Sequence, residues 1–88
     1  MPTISMFYGI IIRMFANEQG HNTPHLHAQY GSEKSTMDFN GNVIKGNPLP
    51  QKQMQLVQAW IAIHKEELEA NWSLLDNNEQ PFKIDPLK

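Results

Sequence analysis

Between Gln51 and Asp76 the chain runs without a single glycine or proline. At about 100° per residue, Met54, Val57, Ile61, His64, Leu68, Trp72 and Leu75 fall on one stripe of a helix. Pro48 and Pro50 suit its approach and first turn, where a missing N–H does no harm. Asn77-Asn78 and Pro81 end it. A helix of about 26 residues is roughly 39 Å long. Whatever this chain folds into must lay one apolar stripe of that length against something else.

The N-terminal half supplies the something else. "ISMFYGIIIRMF", residues 4–15, is rich in β-branched and aromatic side chains and predicts one long strand of roughly 40 Å, with a bend or bulge at Gly9. "ANEQGHNTP" reads as a loop, "HLHAQY" at 25–30 as a second strand, and "EKSTMDFN" at 33–40 as a third, with Val43-Ile44-Lys45 as a short fourth. The tail "PFKIDPL" is expected to dock in extended form. The expected fold class is α+β: a small antiparallel sheet of three to four strands packed on one long C-terminal helix. Its length allows one domain, residues 1–88.

Alternation assigns the faces. Leu26, Ala28 and Tyr30 should meet the helix, leaving His25, His27 and Gln29 on the opposite face of the second strand. Thr36 and Asp38 share that side in the third. The first strand is apolar on both sides, with Phe7, Ile11, Arg13 and Phe15 as one set and Met6, Tyr8, Ile10, Ile12 and Met14 as the other. Such a strand is expected inside a sheet whose second face is covered by the tail or by another subunit. On the helix, Leu56, Trp60, Ile63 and Leu74 form a neighbouring stripe, read as core edge and tail packing or as a partner surface.

"HNTPHLHA" carries three of the four histidines. If Arg13 shares their face, then Arg13, His25, His27 and Asp38 form the candidate catalytic set. Two chemistries suit it. Histidines at i and i+2 on a strand project side by side and can chelate one ion, with His21 or Asp38 completing the shell. Alternatively, the pair can act as acid and base on RNA near neutral pH, with Arg13 stabilising developing phosphate charge. The plain alternative is the polar side of a half-exposed strand. Metal and cofactor stay unassigned at this point. His64 and Asn71 interrupt the apolar stripe of the helix and require hydrogen-bond partners; Tyr30 is the expected partner of His64.

Several classes drop out. With no cysteine there is no disulfide framework, thiolate zinc site or thiol nucleophile. A net charge of −2 and a pI near 6.0 argue against a generally basic nucleic-acid binder. No run is long enough to span a membrane, and the first residues lack the basic start of a secretory signal, so a cytoplasmic location is expected.

The stretches "GIIIRMF" at 9–15, "HNTPHLHAQYG" at 21–31, "LVQAWIAIHKEEL" at 56–68, "NW" at 71–72 and the terminal "KIDPL", with the opening Met1-Pro2-Thr3-Ile4, resemble a family of small bacterial proteins catalogued as domain of unknown function 4160. Thr23-Pro24 and Leu26 depart from its pattern, which often has two prolines before the histidine pair and a phenylalanine within it. The resemblance marks Arg13, His25, His27, His64, Asn71 and Trp72. It implies a gene neighbourhood shared with another small domain of unknown function, number 2442, in the manner of toxin–antitoxin pairs. The expected partners are a small protein encoded nearby or, from the two-sided first strand and the wide apolar arc of the helix, a second copy of the chain; RNA is the substrate a toxin-like member would act on, against the acidic pI, and no membrane is expected. The alternative is a non-enzymatic protein-binding or metal-binding module.

Overall fold

The structure is a computed structural model that describes residues 3–15 and 23–87. Five strands, β1 (Thr3–Phe7), β2 (Ile10–Arg13), β3 (His25–Tyr30), β4 (Glu33–Asp38) and β5 (Val43–Gly46), precede two helices, α1 (Gln51–Ile63) and α2 (Lys65–Asp76). The strands form one antiparallel sheet in the order β1-β2-β3-β4-β5. The α+β class holds, with five strands instead of three or four and two consecutive helices instead of one.

The extra strand comes from Tyr8-Gly9. Phe7 pairs with Ile10, so only two residues connect β1 to β2. Both have positive φ, 49° at Tyr8 and 79° at Gly9, as the tightest hairpin turn with the correct twist requires. The predicted long strand therefore folds back on itself. The fold resets the alternation: Phe7 joins Ile10, Ile12 and Met14 in the core, while Met6, Ile11, Arg13 and Phe15 belong to the other face. The two-sided apolar character of residues 4–15 is that of two strands read as one. It no longer supplies a reason for a subunit to cover the sheet.

The helical region extends over the predicted residues but bends at His64, whose φ and ψ are −110° and 22°. Its backbone bonds survive, His64 N–H donating to the Trp60 carbonyl at 3.0 Å and Leu68 N–H to the His64 carbonyl at 2.9 Å. Val57, Ile61, Leu68 and Leu75 of the predicted stripe are buried against Leu26, Ala28, Met37 and the β1–β2 residues. Trp60, from the neighbouring stripe, is also fully buried. Its ring lies 5.4 Å from that of Phe7, and its indole N–H donates to the Asp85 carbonyl at 2.8 Å.

The tail docks as expected. Asn71, fully buried in α2, donates its amide N–H to the Phe82 carbonyl at 2.9 Å and accepts the Phe82 N–H at 3.0 Å. Two residues on, Ile84 N–H donates to the Ile4 carbonyl of the edge strand at 2.8 Å. His64 does not meet Tyr30. Its Nδ1 lies 2.5 Å from Glu67 Oε1 and its ring packs beside Trp60. Among the described residues, no helix is long and apolar enough to cross a membrane.

Candidate functional site

Directly opposed residues of neighbouring strands share a face. Thr3 opposes Arg13, Arg13 opposes His27, His27 opposes Thr36 and Thr36 opposes Lys45, one row across all five strands. His25 opposes Asp38 in the row beside it, and Gln29 lies between Ile11 and Lys34 on the other side. The register therefore brings Arg13, His25, His27 and Asp38 to one face, opposite the main core. Arg13 is oriented by Gln29, whose side-chain oxygen accepts from Nη1 at 2.8 Å.

The histidines share a side but not an environment. His27 is half-buried, 4.5 Å from the Phe15 ring, with Nδ1 3.3 Å from the Thr36 hydroxyl. His25 is 1% exposed. Its Nδ1–H donates to the Thr23 carbonyl at 2.8 Å, and its ring meets Trp72 of α2 edge-on at 5.1 Å. The expectation that both rings lie away from the helix is thus corrected for His25. Trp72 also touches Phe39 at 6.4 Å, which places it where the two faces of the sheet meet. His21 lies outside the described residues. Among those described, no cluster of three or more His or carboxylate ligands forms.

Asp38 is engaged in closing its own turn. One carboxylate oxygen accepts the backbone N–H groups of Asn40 and Asn42, both at 2.9 Å, and the other meets the Asn42 amide at 3.4 Å. Burial pushes the carboxyl up, but the N–H groups of Asn42, Asn40 and Gly41 and the Asn42 amide outweigh it and hold the carboxyl below its ordinary value. A depressed folded pKa stabilises above the unfolded value, about 3.9, and that stabilisation is lost as pH falls through the folded one. Asp38→Ala is expected to cost about 1 kcal/mol at pH 7. Urea titrations of the two proteins should converge well below pH 4; a difference independent of pH would exclude a charge-assisted turn.

The sequence pattern had pointed to Arg13 and the histidines but not to Phe15, Gln29 and Thr36 as their immediate neighbours. Alternation places Thr36 on this face; its pairing with His27 depends on a register that only the fold supplies. Gln29 gave no signal beyond parity.

The class of protein these features define is a small α+β module, a five-stranded antiparallel meander lined on one side by a helical pair and carrying a histidine–arginine row on the other. A family model described as Domain of unknown function (DUF4160) matches residues 9–73, and the chain belongs to that family. The match contains Arg13, His25, His27, Asp38, Asn71 and Trp72. No curated protein and no solved structure matches the chain.

Proposed function

We propose that the face bearing Arg13, His27, Thr36 and Lys45 binds the phosphate backbone of single-stranded RNA, and that the protein is the RNA-acting member of a bacterial, cytoplasmic toxin–antitoxin-like pair. The observation that carries this reading is the segregation of charge. The chain is acidic overall, yet this face holds Arg13, Lys34 and Lys45, and its one carboxylate among the described residues, Asp38, is engaged by its own turn. Carboxylates concentrate elsewhere, with Glu66, Glu67, Glu69 and Asp76 on α2. Phosphate contacts need only a local cationic row, and an aromatic edge such as Phe15 beside His27 suits an unstacked base. In this reading Arg13 holds the phosphate, His27 exchanges the proton and His25 positions His27 from below.

The test is fluorescence anisotropy with a labelled single-stranded RNA across a salt series. Arg13→Gln should weaken binding roughly tenfold and reduce the salt slope by about 0.7, the value for one lost contact on a single strand. Cleavage, where it occurs, should follow a bell-shaped pH profile that His27→Gln abolishes. Equal affinity of the native and Arg13→Gln proteins would sink the reading.

The second reading is a protein-binding module. Met6 on the sheet and Ile63 on α1 are 62% and 66% exposed and are the apolar side chains a partner would cover. Light scattering, alone and with the product of the neighbouring gene, distinguishes a homo-oligomer or heteromer from a monomer.

A further inference from the structure

The edge strand β1 contains a bulge. Thr3 opposes Arg13 and Ser5 opposes Ile12, so two steps along β1 match one along β2. Strict alternation would leave Ser5 on the face of Thr3 and Arg13. The bulge turns it inward instead, and Ser5 is 7% exposed. Its Oγ is buried and meets no hydrogen-bond partner among the described residues. An orphaned buried hydroxyl costs stability that an alanine in its place would not.

Space adjoins it. Thr3–Met6 and the tail segment Lys83–Pro86 line a cavity of about 300 Å³. That is the lower end for small-molecule sites, about 300–1,000 Å³, which are mostly apolar with a few placed polar groups. Ile4, Met6, Ile84 and Pro86 supply the apolar walls. Phe7 and Ile10 close a two-residue hairpin as a hydrogen-bonded pair, so the next pair, Met6 and Ile11, is of the other kind. Met6 therefore turns its backbone N–H and carbonyl away from β2, toward an edge that no described strand covers. Among the described residues one backbone bond, from Ile84 N–H to the Ile4 carbonyl, ties the tail to β1. The segment over the cavity can lift without unpairing the sheet.

We propose that this cavity binds a small uncharged ligand with an aliphatic body and a carboxamide head, the head pairing with Ser5 Oγ and the Met6 backbone beneath the tail. A serine hydroxyl both donates and accepts, and so does a carboxamide. Lys83 and Asp85 bring opposite charges to the same cavity, which favours neither an anion nor a cation, and burying an unpaired charge is costly. The site uses none of Arg13, His25, His27 and Lys45. It stands apart from the RNA reading, and its test contains no RNA.

Amide NMR of the whole chain, titrated with hexanamide, reads the site directly. The resonances of Ser5, Met6, Ile84 and Asp85 should shift and saturate at millimolar concentration. Hexanoate and hexylammonium, of the same length but charged, should bind at least about tenfold more weakly. Ser5→Ala should weaken hexanamide about tenfold, the loss of one hydrogen bond. It should also melt no lower than the native chain, a result that a purely structural hydroxyl would not give. No saturable shift, shifts confined to residues outside the cavity, equal affinity for the three probes, or equal affinity of a folded Ser5→Ala protein would each overturn the proposal. A Ser5→Ala chain that melts below the native one, or does not fold, would show a hydroxyl already satisfied by water and would overturn it equally.

Discussion

Trp60→Ala is expected to cost about 3–5 kcal/mol, the upper range for truncating a buried side chain. Stability of a domain this size is only about 5–15 kcal/mol in total. A fall in Tm of more than about 12 °C follows, at roughly 4–8 °C per kcal/mol for 60–100 residues. The reason is position as much as volume. The indole is fully buried and lies against Phe7 of β1, against His64 at the helix bend, and against the tail through its N–H bond to Asp85. One side chain therefore joins sheet, helix and C-terminus. Trp60→Phe keeps most of the apolar contact and loses the hydrogen bond, so it should cost far less. Thermal and urea unfolding read both. A cost for Trp60→Ala below 1 kcal/mol would mean that the three elements are held together without it.

That role was only half legible. Periodicity put Trp60 on a stripe about 90° from the main one, at the edge of the core. What buries it includes the tail, whose path depends on the Asn71 side chain of α2 and on the Ile4 carbonyl of β1. A hydrophobic pattern records which faces are apolar, and it is silent on which backbone carbonyl an indole will reach. The helix itself was plain from Gln51 to Asp76, because twenty-odd residues without Gly or Pro leave few alternatives. Its bend at His64 had no breaker residue to announce it.

The hairpin at Tyr8-Gly9 was hidden for a different reason. A two-residue turn of this kind needs positive φ at both positions, which favours Asn-Gly or Asp-Gly. Tyrosine with φ of 49° is an uncommon solution, so a bend inside one strand was the natural reading. The consequence reached the functional face. With the alternation reset, Arg13 joins His27 by register and Phe7 leaves for the core. The parity of β3 and β4 was correct from sequence because Leu26, Ala28 and Met37 alternate cleanly with polar residues. The contrast between a buried His25 and a half-buried His27 was not, since it is set by Trp72 arriving from a helix more than forty residues away.

Asn71→Leu is the sharper test of how the chain closes. Leucine has the same branched side-chain skeleton and is apolar, so the core around α2 should accept it with a small overpacking cost from its bulkier methyl groups. The loss is at the tail, where the Phe82 carbonyl and N–H both bond to the Asn71 side chain at 2.9 and 3.0 Å. Leaving a buried backbone group unsatisfied costs about 1–3 kcal/mol, so two groups together cost about 2–6 kcal/mol where water is kept out; Phe82 is itself exposed, so the lower end is expected. Release of the tail to water limits that loss and exposes Ile84 and one side of Trp60 instead. The two outcomes differ in amide exchange. If residues 81–87 act as one strap, exchange at Phe82 accelerates together with exchange at Ile84, whose N–H bonds to the Ile4 carbonyl at 2.8 Å on the sheet edge. If each contact holds by itself, only Phe82 accelerates. Asn71→Asp separates donor from acceptor: it still accepts the Phe82 N–H but cannot donate to the carbonyl, and it buries a charge, so it should destabilise at least as much as leucine near neutral pH. An Asn71→Leu protein as stable as the native one, with unchanged exchange at both amides, would show that the clamp contributes nothing to holding the tail.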